Sequence, residues 1–240
     1  MILKIKNEIM EARERSERPI LSYRDLRELD FSDMNLNVVD FSGSDLSGAN
    51  LSGSDLSYAT LNGTILNKAN LSWTNLSSSH LNKAELEGTD FSNSDLSAIS
   101  MKSAEGQRAI FHSVYMRAAD IARCDFNDAI FTNCNLNGVR AISSNFTNAN
   151  FKNSLLESCN LSGAILQNAI LKDASLINSD LTRANLSRAE LEKADLSKAD
   201  LWQAILFEAN ISKAKFNNTI LPNGKKKSLF NSPKAFLNYF

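Results

Sequence analysis

The residues of this chain that could do chemistry are two histidines, His80 and His112, three cysteines, Cys124, Cys134 and Cys159, and 27 acids among 240 residues. A histidine beside a serine or cysteine could activate a nucleophile, and paired carboxylates could share acid and base roles. Cys and His at ligand spacing could hold a metal. None of these arrangements is spelled out: neither histidine stands in a Ser/His/Asp or Cys/His pattern. The chain also has no phosphate-cradling glycine loop and no metal-ligand spacing. The carboxylates recur at five-residue intervals, as in Asp25, Asp30, Asp45 and Asp55, so they obey the same rule as their surroundings. The reading is a non-enzyme with no catalytic, cofactor-binding or metal-binding residue.

What positions these side chains is a repeat. Between Ala164 and Ala214 the chain reads Ala-Ile-Leu-Gln-Asn, Ala-Ile-Leu-Lys-Asp, Ala-Asp-Leu-Ser-Lys and Ala-Asp-Leu-Trp-Gln. A period of five fits neither the 3.6 of a helix nor the 2.0 of a strand, so the unit is a short extended piece plus a bend. Large apolar centres fall on every fifth position from Leu21 to Leu221, 41 positions holding 26 Leu, nine Phe, two Met and two Ile; Gly106 and Ala141 fill the other two. Two residues before each centre the side chain is small once past the first four repeats, with Ile99 an exception. Large and small inward positions therefore alternate, and the remaining three are mostly polar. All three cysteines take the small inward position and read as buried free thiols. Asp and Asn crowd the position before the centre, where a short side chain can bond a nearby amide at a bend. Seven of the nine glycines fall two after a centre, where a tight turn favours positive φ.

This grammar resembles the pentapeptide-repeat protein family, whose consensus is roughly Ala-(Asp/Asn)-Leu-X-X, over residues 19–223 without an insertion. The resemblance implies an all-β fold, a right-handed quadrilateral β-helix with four pentapeptides per square coil. That gives about ten coils and a rod ~48 Å long at ~4.8 Å per coil. Each repeat touches only its neighbours, so the ends need covers. Residues 1–19 read as an N-terminal cap helix, with Ile2, Leu3, Ile5, Ile9 and Met10 as its apolar side and Pro19 ending it. Residues 20–223 read as the β-helix, with irregular coils expected near 103–110 and 139–145. Residues 224–240 read as a C-terminal cap or a dimerisation tail carrying Phe230, Phe236, Tyr239 and Phe240, with Lys225, Lys226 and Lys227 as solvated linker. No stretch approaches the ~20 apolar residues of a membrane span or forms the apolar core of a secretion signal. The expectation is a soluble cytoplasmic protein, monomeric or dimeric through its C-terminal end.

Two functions of different class follow. Some members of the family act by imitating DNA towards a type II topoisomerase. Between residues 20 and 100, 11 acids stand against Arg24, Arg27, Lys68 and Lys83, over ~19 Å in which duplex DNA carries ~11 charges. Sorted by a 20-residue period, the four sides of that stretch carry net charges of 0, −2, −3 and −2, which spreads the acids around the rod where a mimic needs one stripe. Gyrase-protecting relatives also carry projecting loops. Here the run Ser103–Ala109 loses its large centre without gaining residues, and the core there is expected to be empty or opened outward. The favoured reading is a non-catalytic protein-protein interaction scaffold or regulator with a protein partner, as in cyanobacterial relatives tied to cell differentiation. The alternative is a DNA-mimicking inhibitor or protector of DNA gyrase or topoisomerase IV, of the quinolone-resistance type. Direct nucleic-acid binding is not expected, because the belt Arg183, Arg188, Lys193 and Lys198 lies among acids. Candidate partner contacts are the outward aromatics Tyr58, Trp73, Trp202 and Phe207, and Glu105, Gln107 and Arg108 beside the missing centre.

Overall fold

Each pentapeptide folds into a four-residue turn and a very short straight segment. The turn closes when the N–H three residues after a centre donates to the centre's carbonyl, as Ala49 does to Leu46 at 3.0 Å. The residue two after the centre has positive φ in every repeat from Tyr23 (57°) to Asn218 (59°). Positive φ at the third turn residue alone is the type II pattern. Seven of these positions hold Gly; the rest hold side chains that pay backbone strain.

The computed structural model describes residues 2–227; the predicted tail aromatics Phe230, Phe236, Tyr239 and Phe240 lie outside the described residues. Each residue before a centre pairs in parallel with the residue 20 positions on, from Ile20 with Asp40 to Asp200 with Ile220. Four units therefore make one square coil, and the whole is a right-handed quadrilateral β-helix. Neighbouring coils are tied by bonds such as Leu21 N–H to Asp40 O at 2.7 Å and Asp40 N–H to Pro19 O at 3.0 Å. We number the sides 1 to 4 after the centres Leu21, Leu26, Phe31 and Leu36.

Inside, the centres stack in four columns and are buried from Leu21 to Leu221. On side 3, Phe91, Phe111, Phe131 and Phe151 stack face to face with centroids 5.0, 4.4 and 4.8 Å apart. Phe126 of side 2 meets Phe111 edge-on at 5.4 Å. This is the internal ring column that aromatic centres at a five-residue spacing imply.

The coil through 103–110 is neither empty nor opened. Its backbone keeps the same turns, and Glu105 pairs with Glu85 below and Asp125 above. Phe126, the next centre on side 2, leans into the vacant place, so a Cβ on Gly106 would stand 2.5 Å from its ring. The stretch 139–145 is equally regular, with Ala141 buried and Arg140 paired to Asn160. Interior volume is shared between coils, so a small centre is compensated from the coil above without moving the backbone.

The N-terminal cover is α1, Ile2–Glu14, which buries Ile5, Ile9 and Ala12 against the first coil. Leu3 and Met10, assigned by sequence to the apolar side, face solvent. The first coil receives the helix with oversized residues at small positions, Leu29 and Met34, which pack against the core. Arg24 holds Glu8 of α1 at 2.6 Å, and Arg13 of α1 reaches the Asn35 and Asn37 side chains. Pro19 does not end the helix. Ser16 does so with φ of 57°, while Ser16 N–H bonds Arg13 O and Glu17 N–H bonds Ala12 O, the Schellman arrangement. Pro19 instead fills the first small inward position and is buried. At the other end the lysine triplet is not a linker: β1, Thr219–Ile220, pairs antiparallel with β2, Lys226–Lys227.

Candidate partner-binding surface

The groups first considered for chemistry are placed by the repeat. His80 and His112 lie on the outside, and His112 Nδ1 sits 2.8 Å from Thr132 Oγ1. The three thiols are buried and unpaired. Cys124 Sγ–H donates to Met101 O at 2.8 Å and Cys159 to Leu136 O at 3.0 Å, the bond that Ser94 makes to Leu71 O at 2.7 Å. Cysteine thus replaces serine as a small inward donor, and burial pushes all three thiols up to about 12. No group of metal-ligating residues occurs among the described residues.

The acids before each centre are turn-formers. Asp45 Oδ1 accepts Ser47 N–H at 2.9 Å and also its hydroxyl; Asp40, Asp55, Asp90, Asp95, Asp180 and Asp200 accept the amide two residues on in the same way. Asn does the same at Asn70 and Asn75. At Asp25, the Arg27 guanidinium and the Arg27 amide together lower the carboxyl to about 2. One run of charge does build up on side 2, where Glu85, Glu105 and Asp125 stack on successive coils.

Of the predicted contact residues, Glu105, Gln107 and Arg108 share side 2. Gln107 Nε2 donates to Asp125 Oδ2 at 2.6 Å, and Arg108 pairs with Glu87 at 3.2 Å. Tyr58 (63% exposed) and Trp73 (69%) stand on the turns of sides 4 and 3, so they occupy different corners. Trp202 lies on side 1 under the Arg183 guanidinium at 5.4 Å, and Phe207 is exposed on side 2 of the same late coil. Lys83, Lys102, Arg123 and Arg140 all fall on side 1, a cluster visible in the sequence only when the 20-residue period is followed past residue 100.

An uninterrupted square rod with flat, patterned sides defines a repeat solenoid. A family model described as pentapeptide repeats matches residues 21–53, 35–72, 54–93, 69–104 and 109–147, and one described as pentapeptide repeat region matches 149–223. The chain belongs to the pentapeptide repeat family. The matches skip 105–108, the repeat centred on Gly106. No curated protein matches the chain.

Among solved structures, the chain is similar to HetL, a pentapeptide repeat protein involved in heterocyst differentiation regulation from the cyanobacterium Nostoc, at 26% identity and a TM-score of 0.88. That overlay covers 92% of this chain and 98% of HetL. QnrB1, a plasmid-mediated fluoroquinolone resistance protein, is 20% identical with a TM-score of 0.32, covering 82% of this chain and 93% of its own. Rfr23 from the cyanobacterium Cyanothece is 20% identical with a TM-score of 0.33, covering 64% and 99%. No helix among the described residues is long and apolar enough to cross a membrane.

Proposed function

We propose that this protein is a non-catalytic regulatory scaffold of the bacterial cytoplasm, a rigid rod that presents one of its sides to a protein partner. The observation that carries the reading is the overlay with HetL along nearly the full length of both chains, at a TM-score of 0.88. A continuous rod without projecting loops suits a partner that lies flat on it. Three buried, reduced thiols suit a reducing compartment. Tyr58, Trp73, Glu105, Gln107 and Arg108 are the contacts to alter first, with Trp202 and Phe207 at the far end. The test is capture from a lysate of the source cells with the tagged chain. A partner retained by the native rod and lost with Trp73→Ala or Arg108→Glu supports the reading; the same retention by both variants sinks these contacts.

The competing reading, a DNA mimic aimed at gyrase, draws on the stacked acids Glu85, Glu105 and Asp125. That column runs for two coil spacings, ~10 Å, and is bounded by Ile65 and Asn145, well short of one ~34 Å turn of duplex. A gyrase supercoiling assay with the protein titrated in, with and without a quinolone, separates the two. No effect at large excess is expected; inhibition or protection at low-micromolar protein would replace the scaffold reading.

A further inference from the structure

We propose that the middle of side 1 is a docking surface for an acidic peptide segment of a protein partner, one that also carries an aliphatic side chain. This deepens the scaffold reading and rests on it. Lys83, Lys102, Arg123 and Arg140 occupy four successive coils of side 1, and the one acid in those four units is Asp120. Asp120 is already held, by Lys102 Nζ at 3.1 Å and by an Arg140 guanidinium nitrogen at 3.0 Å. The patch therefore keeps an excess of positive charge. Lys83 and Arg123 have no ion-pair partner among the described residues and stand on the same turn column two coils apart, ~10 Å.

Beside Arg123, between Lys102 and Arg140, lies a hollow of about 390 Å³. It exists because the column one residue after the centre runs Lys102, Ala122, Ile142: a methyl between two long side chains leaves a gap one coil deep. Ala122 is buried and forms its floor, Lys102 and Ile142 its walls, and Arg123 and Arg140 its two margins. An apolar floor rimmed by cations takes an aliphatic side chain with carboxylates on either side. Guanidinium forks bind carboxylates in two-pronged fashion. In a peptide of polyproline-II form, acids three residues apart lie on one face ~9 Å apart, close to the interval between Lys83 and Arg123.

A nucleic acid fits this surface poorly. Glu85, Glu105 and Asp125 lie directly across the corner from Lys83 and Arg123 and would repel a phosphate backbone, while Asp180 and Asp200 close side 1 further along. A single extended peptide is narrow enough to remain on side 1.

The test is fluorescence anisotropy of a labelled Gly-Glu-Leu-Gly-Glu-Leu-Gly-Glu peptide titrated with the full chain at low salt, beside a Lys-for-Glu version and a labelled DNA duplex. Saturable binding of the acidic peptide is expected, with no binding of the basic one. Arg123→Glu should weaken it about tenfold. Ala122→Leu, which fills the hollow without changing charge, should weaken it about threefold. Arg183→Glu, on the same side but beyond the cluster, should leave it unchanged, and both arginine variants should keep the native melting temperature because Arg123 and Arg183 are exposed. The proposal falls if the acidic peptide does not bind, if Arg183→Glu matches Arg123→Glu, if Ala122→Leu has no effect, or if the duplex binds more tightly. Absence of peptide binding alongside a partner captured through Trp73 or Arg108 would remove the side 1 surface and leave the scaffold reading standing.

Discussion

Gly106→Leu restores the consensus centre, and repeat logic alone says it should stabilise the rod by burying a leucine, worth ~1.5 to 3 kcal/mol. The structure reverses the sign. A Cβ at Gly106 would meet Phe126 Cε1 at 2.5 Å and Cδ1 at 2.7 Å. Phe126 has nowhere to retreat: it is fully buried, with Phe111 edge-on at 5.4 Å, Phe131 edge-on at 5.5 Å and Phe146 at 5.9 Å. Overpacking of this kind costs ~1–3 kcal/mol, or a fall in melting temperature of ~2–12 °C for a chain of this size. Phe126→Leu alone leaves a void over Gly106 and is also destabilising. The pair Gly106→Leu with Phe126→Leu redistributes the same volume between the two coils, so it should recover part of both losses, with a coupling of ~0.5–3 kcal/mol. Thermal and urea unfolding of the four proteins make the cycle. A single Gly106→Leu variant that melts above the native protein would refute the account of shared volume between coils.

The remaining expectations concern the acids and the thiols. Asp45→Ala should lower stability by ~1–2 kcal/mol, because Ser47 loses its acceptor, while Asp45→Asn should be close to neutral, since Asn70 makes the same turn bond to Ser72; equal losses in urea unfolding would point to charge instead. Asp25 lies at about 2 against an ordinary 3.8, and Asp30, Asp120, Asp195 and Glu192 are also depressed. A carboxyl depressed by folding contributes stability above its unfolded pKa and loses it as pH falls through the folded one. The urea midpoint should therefore drop between about pH 4 and about pH 2, less steeply in Arg27→Gln, and a drop beginning near neutrality would contradict this. Ellman's reagent should label none of Cys124, Cys134 and Cys159 in the native rod and all three in denaturant, because burial both shields the thiols and holds them near 12; fast labelling of a native thiol would show that the coil there opens.

Much of this site was legible because a five-residue rule fixes inside and outside without knowledge of the path. The alternation of large and small residues placed the thiols and the ring column inside, and it put Tyr58, Trp73 and Phe207 outside. The partners of those residues were not legible. Gln107 meets Asp125 and Arg108 meets Glu87 across coils, and the helix stop at Ser16 depends on carbonyls three and five residues back rather than on the more conspicuous Pro19.

By itself, then, the sequence determined the unit: its period, its inward residues and the polar side chain that closes each bend, because those depend on residues within five of one another. The tertiary structure decided whatever depends on residues 20 apart. It filled the place of Gly106 with Phe126, drew Lys83, Lys102, Arg123 and Arg140 into one patch, and stacked Glu85, Glu105 and Asp125 beside it. The physical reason is that coils are held ~4.8 Å apart by backbone bonds. Residues remote in the chain therefore become nearest neighbours, and their volumes and charges add along the rod.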